Sequence, residues 1–209
     1  MSQIVLCQNA KGVVLAADGL ATDVNVHGEL VHYTVDRLIQ LGPKAAILAG
    51  GAAEGVQMCH ALKNFVREEG LEAVLDICGA ALPFLGTEFE RFMRNRCETL
   101  PVDPIHHVHF ILAGHMGRDP ERPYRSYFMW TKKRLPQLDR DEIGLAYSVP
   151  RMMGLEVRLN RLCSANTDLN NLLMEIMESM EDKAGRQEEI GPPFSYALIT
   201  RDGFEKIEP

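Results

Sequence analysis

Ser2 is the residue of this chain with the most direct route to covalent chemistry. A methionine ahead of a small residue such as serine is normally removable, so removal of Met1 would leave Ser2 with a hydroxyl group and a free α-amine. An α-amine has an ordinary pKa of about 7.7 to 8.0 and can accept the hydroxyl proton near neutral pH. Ser2 could therefore be nucleophile and base at once, and the alternative is an ordinary residue at the start of a strand.

Histidine and cysteine residues offer a second kind of chemistry. His106, His107 and His109 form a cluster, and on a strand His107 and His109 would share one face, as metal ligands do. No carboxylate or cysteine sits at ligand spacing, so we interpret the histidines as polar residues at the entrance of a strand. The five cysteines are odd in number and form no C-x-x-C pair, which predicts reduced thiols, and no metal or organic cofactor is expected.

Charge and hydropathy exclude two classes of partner. The formal net charge is −7, which argues against nucleic acid. No apolar stretch approaches the roughly 18 residues needed to cross a bilayer, and the N-terminus lacks the pattern of a signal peptide. These observations predict a cytoplasmic protein that does not bind membranes, and we expect a single domain over residues 1–209.

The elements that must position Ser2 alternate in groups along the chain. Short apolar runs bounded by turn residues predict strands at 3–7, 12–17, 35–41, 44–49, 108–113, 124–130, 143–147, 194–200 and 204–207. Three- and four-residue apolar spacing predicts helices at 56–70, 71–97, 155–162 and 169–180, the second interrupted near Pro83. The order of the elements is strands, a helix pair, strands, a second helix pair and strands. This order predicts an α+β protein with mainly antiparallel sheets, for which a four-layer αββα sandwich is the expected arrangement.

Four segments of the chain form an ordered set: residues 11–22 (KGVVLAADGLAT), 37–41 (RLIQL), 46–50 (AILAG) and 196–203 (YALITRDG). In this order they resemble segments of proteasome β-type subunits of the N-terminal nucleophile hydrolase superfamily. The most specific match is residues 11–22, which resemble the second strand of these subunits. The resemblance spans nearly the whole chain, and it is strong over the first 60 residues and weak between 100 and 190.

The resemblance implies an active site. Counted back from Asp18 without a gap, the N-terminal threonine of the family falls on Ser2. Asp18 matches the acid that orients the site, and Gly50 matches the glycine whose backbone N–H stabilises the oxyanion.

Two positions depart from the pattern of the family. Arg37 stands where the family has its catalytic lysine, and arginine neither gives nor takes a proton, although it can act as a fixed positive charge paired with Asp18. Ser148 stands near the position of a supporting serine of the family, but the glycines that normally surround that serine are absent. The family also places an Asp and a Ser shortly before its last strand, and residues 185–193 (GRQEEIGPP) match neither of them.

Two hypotheses follow from these matches and departures. The first is a peptidase or amide hydrolase subunit in which Ser2, Asp18, Arg37, Gly50 and Ser148 form the site. The second is a catalytically inactive subunit with a structural or binding role. Both imply self-association into a ring or double ring, with Met174 and Met177 as interface candidates, and the first adds a peptide or unfolded protein substrate and an ATP-dependent unfoldase as partners.

Overall fold

The computed structural model describes residues 2–24, 29–97, 107–117, 119, 122–131 and 138–208, with the side chains of residues 23, 24, 96 and 97 left out. Met1 and His106 lie outside the described residues. The described chain is α+β, as the sequence predicts, with antiparallel sheets. Its strands are β1 Ile4–Asn9, β2 Gly12–Ala17, β3 Leu20–Val24, β4 Leu30–Thr34, β5 Leu38–Gly42, β6 Ala45–Gly51, β7 Val108–His115, β8 Tyr124–Thr131, β9 Leu138–Ile143, β10 Ala146–Val149, β11 Ser195–Ile199 and β12 Phe204–Ile207, and its helices are α1 Glu54–Glu68, α2 Val74–Cys97, α3 Met153–Ser164 and α4 Leu169–Ala184.

The first sheet places the start of the chain beside the end of β2. Its strand order is β10-β1-β2-β11-β12, and the β1–β2 hairpin pairs Ile4 with Ala17. Residues 4–7 and 13–17 are fully buried, because both faces of the sheet are covered. Ser2, just ahead of β1, and Asp18, just after β2, therefore lie at the same end of the hairpin.

The second five-stranded sheet has the order β5-β6-β7-β8-β9, with Gly50 opposite His109 in the β6–β7 pairing. A separate ribbon of β3 and β4 was not predicted from the sequence, because its residues are mostly polar or exposed and carry no clear apolar alternation. The sequence also predicts one strand at 143–147, where the structure has β9 in the second sheet and β10 in the first.

Three apolar cores hold these elements together. One lies between α1, α2 and the second sheet, another between the two five-stranded sheets, and a third between the first sheet and helices α3 and α4. The helix α2 is not split at Pro83, which lies inside it. Its apolar residues on both sides of Pro83, including Ile77, Leu85 and Met93, pack on the same core, and this packing maintains one continuous helix.

Within the described residues, no helix combines the length and the apolar character that crossing a bilayer requires.

Candidate active site

Ser2 lies in the gap between the two five-stranded sheets, just ahead of β1. Its side chain is 4% exposed, and its Oγ accepts a hydrogen bond of 2.7 Å from the backbone N–H of Gly51. Ser2 and Ile4 both face β6, since a Cβ placed on Gly50 would lie 3.1 Å from Ile4 Cδ1 and 3.6 Å from Ser2 Oγ. The hydroxyl group is thus held by a backbone donor at the end of β6.

Gly51 supplies this donor because the chain turns sharply there. Its φ is +82°, which non-glycine residues rarely adopt, and a Cβ at this position would lie 2.1 Å from the carbonyl oxygen of His107. The sequence places the oxyanion donor at Gly50, whereas the N–H in contact with Ser2 comes from the next residue. Gly50 pairs with His109 in the β6–β7 ladder, one residue before the end of β6.

Asp18 is buried directly after β2 and is tied to the residue that follows Ser2. Its Oδ1 accepts a hydrogen bond of 2.8 Å from the N–H of Gln3, and its own N–H donates to the carbonyl of Gln3 at 3.0 Å. Burial raises the pKa of Asp18 to about 6, against the opposing effects of the Gln3 N–H and the Arg37 guanidinium. The carboxylate therefore fixes the backbone next to Ser2.

A pH prediction follows from the raised pKa of Asp18. The folded chain holds the proton of the Asp18 carboxyl group more tightly than the unfolded chain does. The stability that this protonated group contributes is therefore fully present below about pH 4 and is lost as the pH rises through about 6. Relative to Asp18→Asn, the free energy of unfolding should fall by about 3 kcal/mol, mostly between pH 4 and 6. Urea unfolding of both chains across this range measures the difference, and a difference that rises with pH would contradict the burial argument.

Arg37 is a buried cation immediately before β5. Its side chain is 2% exposed, and its Nε lies 3.6 Å from Asp18 Oδ1. The terminal nitrogens donate to two backbone carbonyls, that of Leu20 at 3.2 Å and that of Ala49 at 3.5 Å. Burial lowers the pKa of Arg37, and Asp18 opposes that shift, so the side chain remains a fixed positive charge behind Ser2.

Lys183 also approaches this site, and sequence reasoning missed it. It lies in the last turn of α4, is half-buried, and its Nζ donates a hydrogen bond to Gln3 Oε1. The Gln3 amide in turn donates to the carbonyl of Pro150 at 3.1 Å. Burial lowers the pKa of Lys183, while the negative charge of Asp18 raises it. A lysine at the end of a predicted helix gives no sequence signal for this role, because its partner is 180 positions away.

Ser148 does not join the site. It pairs with Val5 in the β1–β10 ladder, and Val5 faces the core formed with α3 and α4, whereas Ile4 faces the gap between the sheets. The Ser148 hydroxyl donates to Glu156 Oε1 at 2.6 Å and accepts from the N–H of Met152 at 2.7 Å. The register of β10 therefore turns Ser148 toward α3, away from Ser2.

Replacement of Ser148 separates these two positions experimentally. Ser148→Ala removes two hydrogen bonds of a buried network, so the free energy of unfolding in urea should fall by about 1–3 kcal/mol. The reactivity of the Ser2 hydroxyl toward an electrophile should stay within about twofold, because the Ser148 hydroxyl faces the other side of the sheet. Ser164→Ala removes an exposed hydroxyl on α3 and should change neither quantity. Loss of Ser2 reactivity in a stably folded Ser148→Ala chain would place Ser148 in the site after all.

A cavity of about 520 Å³ opens beside Ser2. It is lined by Ser2, Ala21, Thr22, Arg37, Gly51, Ala52, Ala53, His107, His109, Val149, Pro150 and Glu189. No group of three or more potential metal ligands converges among the described side chains. The cavity reaches Ser2, whose hydroxyl lies next to a backbone N–H and a buried ion pair.

Comparison with known proteins places the fold and corrects one prediction. No family model matches the chain, and neither does any curated protein. Among 444 matching chains of solved structures is Anbu (ancestral beta-subunit) from Yersinia bercovieri, with a TM-score of 0.66 and 13% identity over 98% of this chain and 86% of that one. The assignment to the proteasome β-type subunits was therefore wrong, because no family model supports it and the similar structure is an Anbu. At this identity the likeness shows the fold alone, and the chain has the fold of the ancestral beta-subunit Anbu.

Proposed function

We propose that this protein is an amide hydrolase, acting on peptides, in which Ser2 becomes the N-terminal nucleophile once Met1 is removed. The observation that carries the proposal is the contact between Ser2 Oγ and the Gly51 N–H, beside the buried Asp18–Arg37 pair. A serine hydroxyl in such a gap needs only a base, and its own α-amine is one.

The reaction uses groups that converge at the start of β1. The Ser2 Oγ attacks the carbonyl carbon of the substrate amide while the α-amine takes the hydroxyl proton. The carbonyl oxygen becomes an oxyanion two bonds from Oγ, where the Gly51 N–H can stabilise it by shifting its hydrogen bond from Oγ to the oxyanion. Collapse of the intermediate breaks the C–N bond, and the ammonium returns the proton to the departing amine. Water then hydrolyses the Ser2 ester and restores the hydroxyl.

Asp18 and Arg37 set the electrostatic field around the Ser2 hydroxyl and α-amine. Arg37 adds a fixed positive charge that favours the neutral, proton-accepting form of a nearby α-amine. Asp18 limits that effect and holds Gln3 in place. Asp18 Oδ2 has no hydrogen-bond partner among the described residues, so it can accept from the α-amine of Ser2 once that amine is free.

The alternative function is a catalytically inactive subunit that binds or assembles. The observation that favours it is Arg37 itself, because a guanidinium locked on two carbonyls and Asp18 can be a structural ion pair in a site without chemistry.

The three apolar cores support the four-layer αββα arrangement, because they follow one another from α1 and α2 across the two sheets to α3 and α4. Met153, Val157 and Met174 are exposed on the outer helix pair, and they support self-association into a ring or double ring through this face. Met177 is partly buried against the core beneath.

We propose the cytoplasm as the location and unfolded proteins, delivered by an ATP-dependent unfoldase, as the substrates.

Hydrolysis of peptide amides that release a fluorescent amine tests the two functions. The hydrolase proposal predicts release of amine equal to the number of chains starting at Ser2, followed by steady turnover. A chain that starts at Ser2, folds and assembles, yet releases no amine from a broad set of peptides would support the inactive alternative.

A further inference from the structure

The cavity beside Ser2 carries polar groups that the proposed reaction does not use. Its walls near Gly51 are built from small residues, Ala21, Ala52 and Ala53, which leave room for a side chain. His107 and His109 also line it, and the only carboxylate among its described lining residues is Glu189, which is exposed. A substrate residue whose carbonyl is attacked by Ser2 would put its own side chain here.

His109 is placed on the same side of the second sheet as the Ser2 hydroxyl. It lies directly opposite Gly50 in the β6–β7 pairing, and residues opposite one another share a face. The face of Gly50 is the one toward Ser2, because a Cβ there would lie 3.6 Å from Ser2 Oγ. Since Gly50 has no side chain, no β6 side chain stands directly opposite the imidazole on this face.

The orientation of His109 leaves one nitrogen for a ligand. The ring is half-buried and stacks on Phe128, with centroids 6.0 Å apart. Its Nδ1 is buried and has no hydrogen-bond partner among the described residues, so only Nε2 can serve the cavity. Burying the lone pair of Nδ1 costs less free energy than burying an Nδ1–H group without an acceptor. The neutral ring therefore carries its proton on Nε2. His109 then presents a donor.

Two further donors stand near it. His107 lies two residues earlier, on the same face of an extended chain, and its Nδ1 lies 3.1 Å from Thr131 Oγ1. When Nδ1 accepts from the Thr131 hydroxyl, the ring proton is on Nε2, and Nε2 is then a donor for the cavity. The guanidinium of Arg37 lines the same space with donors that its two backbone carbonyls do not use. Donors from three side chains, one of them permanently cationic, match a carboxylate better than an apolar or basic side chain.

We propose that this cavity binds an acidic side chain, so that the hydrolase cleaves after glutamate or aspartate. The inference rests on the proposed function, since it names the substrate of the same site. A carboxylate in the cavity would accept from His109 and His107 and face the Arg37 charge, whereas the neutral amide of glutamine would gain less from the same donors.

The test compares peptide amides that differ at one position. The compounds are acetyl-Ala-Ala-Xaa-coumarylamides with Glu, Gln, Leu or Lys as Xaa. Their rates of cleavage are measured with the unaltered chain. Their affinities are measured separately by calorimetry with the Ser2→Ala chain. We expect the Glu compound to bind at least tenfold more tightly than the Gln compound. His109→Phe keeps the stack on Phe128 but loses the donor, and the ratio should fall to about twofold or less. His115→Asn, at the far end of β7, is the matched control and should keep the ratio.

The outcomes distinguish the inference from the function it rests on. If the Glu compound binds more tightly but nothing is cleaved, the acidic subsite stands and the hydrolase proposal falls. If all four compounds are cleaved while Glu binds no better than Gln, or Leu binds best, the subsite is overturned and the hydrolase stands. Because the Glu-to-Gln ratio is measured on the Ser2→Ala chain, in which His107, His109 and Arg37 are unchanged, the test holds even if His109→Phe fails to fold.

Discussion

Ser2→Ala should reduce amide hydrolysis by about 10³-fold or more, the largest effect expected of any single change in this chain. The variant keeps the α-amine and the Gly51 donor, but it has no hydroxyl group to form the acyl intermediate. Its free energy of unfolding should change by no more than about 1–2 kcal/mol, since the hydroxyl accepts a single hydrogen bond. Release of a fluorescent amine measures the first quantity and urea unfolding the second.

Ser164→Ala provides the matched serine control, because its hydroxyl lies on the exposed surface of α3 and donates to the carbonyl of Asn160 within its own helix. This control should retain the full rate. If Ser2→Ala were to keep a rate comparable with that of Ser164→Ala, another residue would be the nucleophile.

Gly51→Ala should produce the second largest effect, a fall in hydrolysis of about 10²–10³-fold together with a loss of stability. A Cβ at this position would lie 2.1 Å from the carbonyl oxygen of His107, and the φ of +82° is strained for alanine. The end of β6 must move to relieve the clash, and the N–H then no longer points at Ser2 Oγ. Hydrolysis and urea unfolding, measured on the same preparation, check both losses.

Gly50→Ala is the informative comparison, because Gly50 was the donor predicted from the sequence. Its added Cβ would lie 3.1 Å from Ile4 Cδ1, a flexible end that can give by a few tenths of an ångström. We expect a loss of about 1–2 kcal/mol in stability and a smaller fall in rate than for Gly51→Ala. The reverse order, with Gly50→Ala the more damaging in rate, would return the oxyanion role to Gly50.

The sequence predicts the site best where the contacts join residues that are close together in the chain. Residues 3–7 and 12–17 are apolar runs joined by turn residues, so the β1–β2 hairpin can be read directly, and the pairing of Ile4 with Ala17 brings Ser2 toward Asp18. Arg37 and the β5–β6 hairpin follow in the same way, because Gly42 and Pro43 mark the turn. These elements hold most of the proposed machinery.

The remaining parts depend on register and on long-range packing. A difference of one residue separates Gly50 from Gly51, and only the turn at the end of β6 decides which N–H meets Ser2. Ser148 faces α3 because β10 is a separate strand paired with β1, which the apolar pattern of residues 143–147 does not reveal. Lys183 reaches Gln3 only after α4 has docked on the first sheet.

The family assignment failed for a related physical reason. Segments such as residues 46–50 and 196–199 are buried strands, and their apolar pattern is required by the fold. Similarity in such segments indicates the architecture, which the likeness to Anbu supports, but it does not separate one family from another with that architecture.

Mass spectrometry of the purified chain tests the central claim most directly. The account predicts a mass that lacks Met1, and treatment with an electrophile that bridges an N-terminal hydroxyl and amine should then add one adduct per chain, located at Ser2 and absent from Ser2→Ala. A chain that retains Met1, or that starts at Ser2 and forms no adduct, would contradict it.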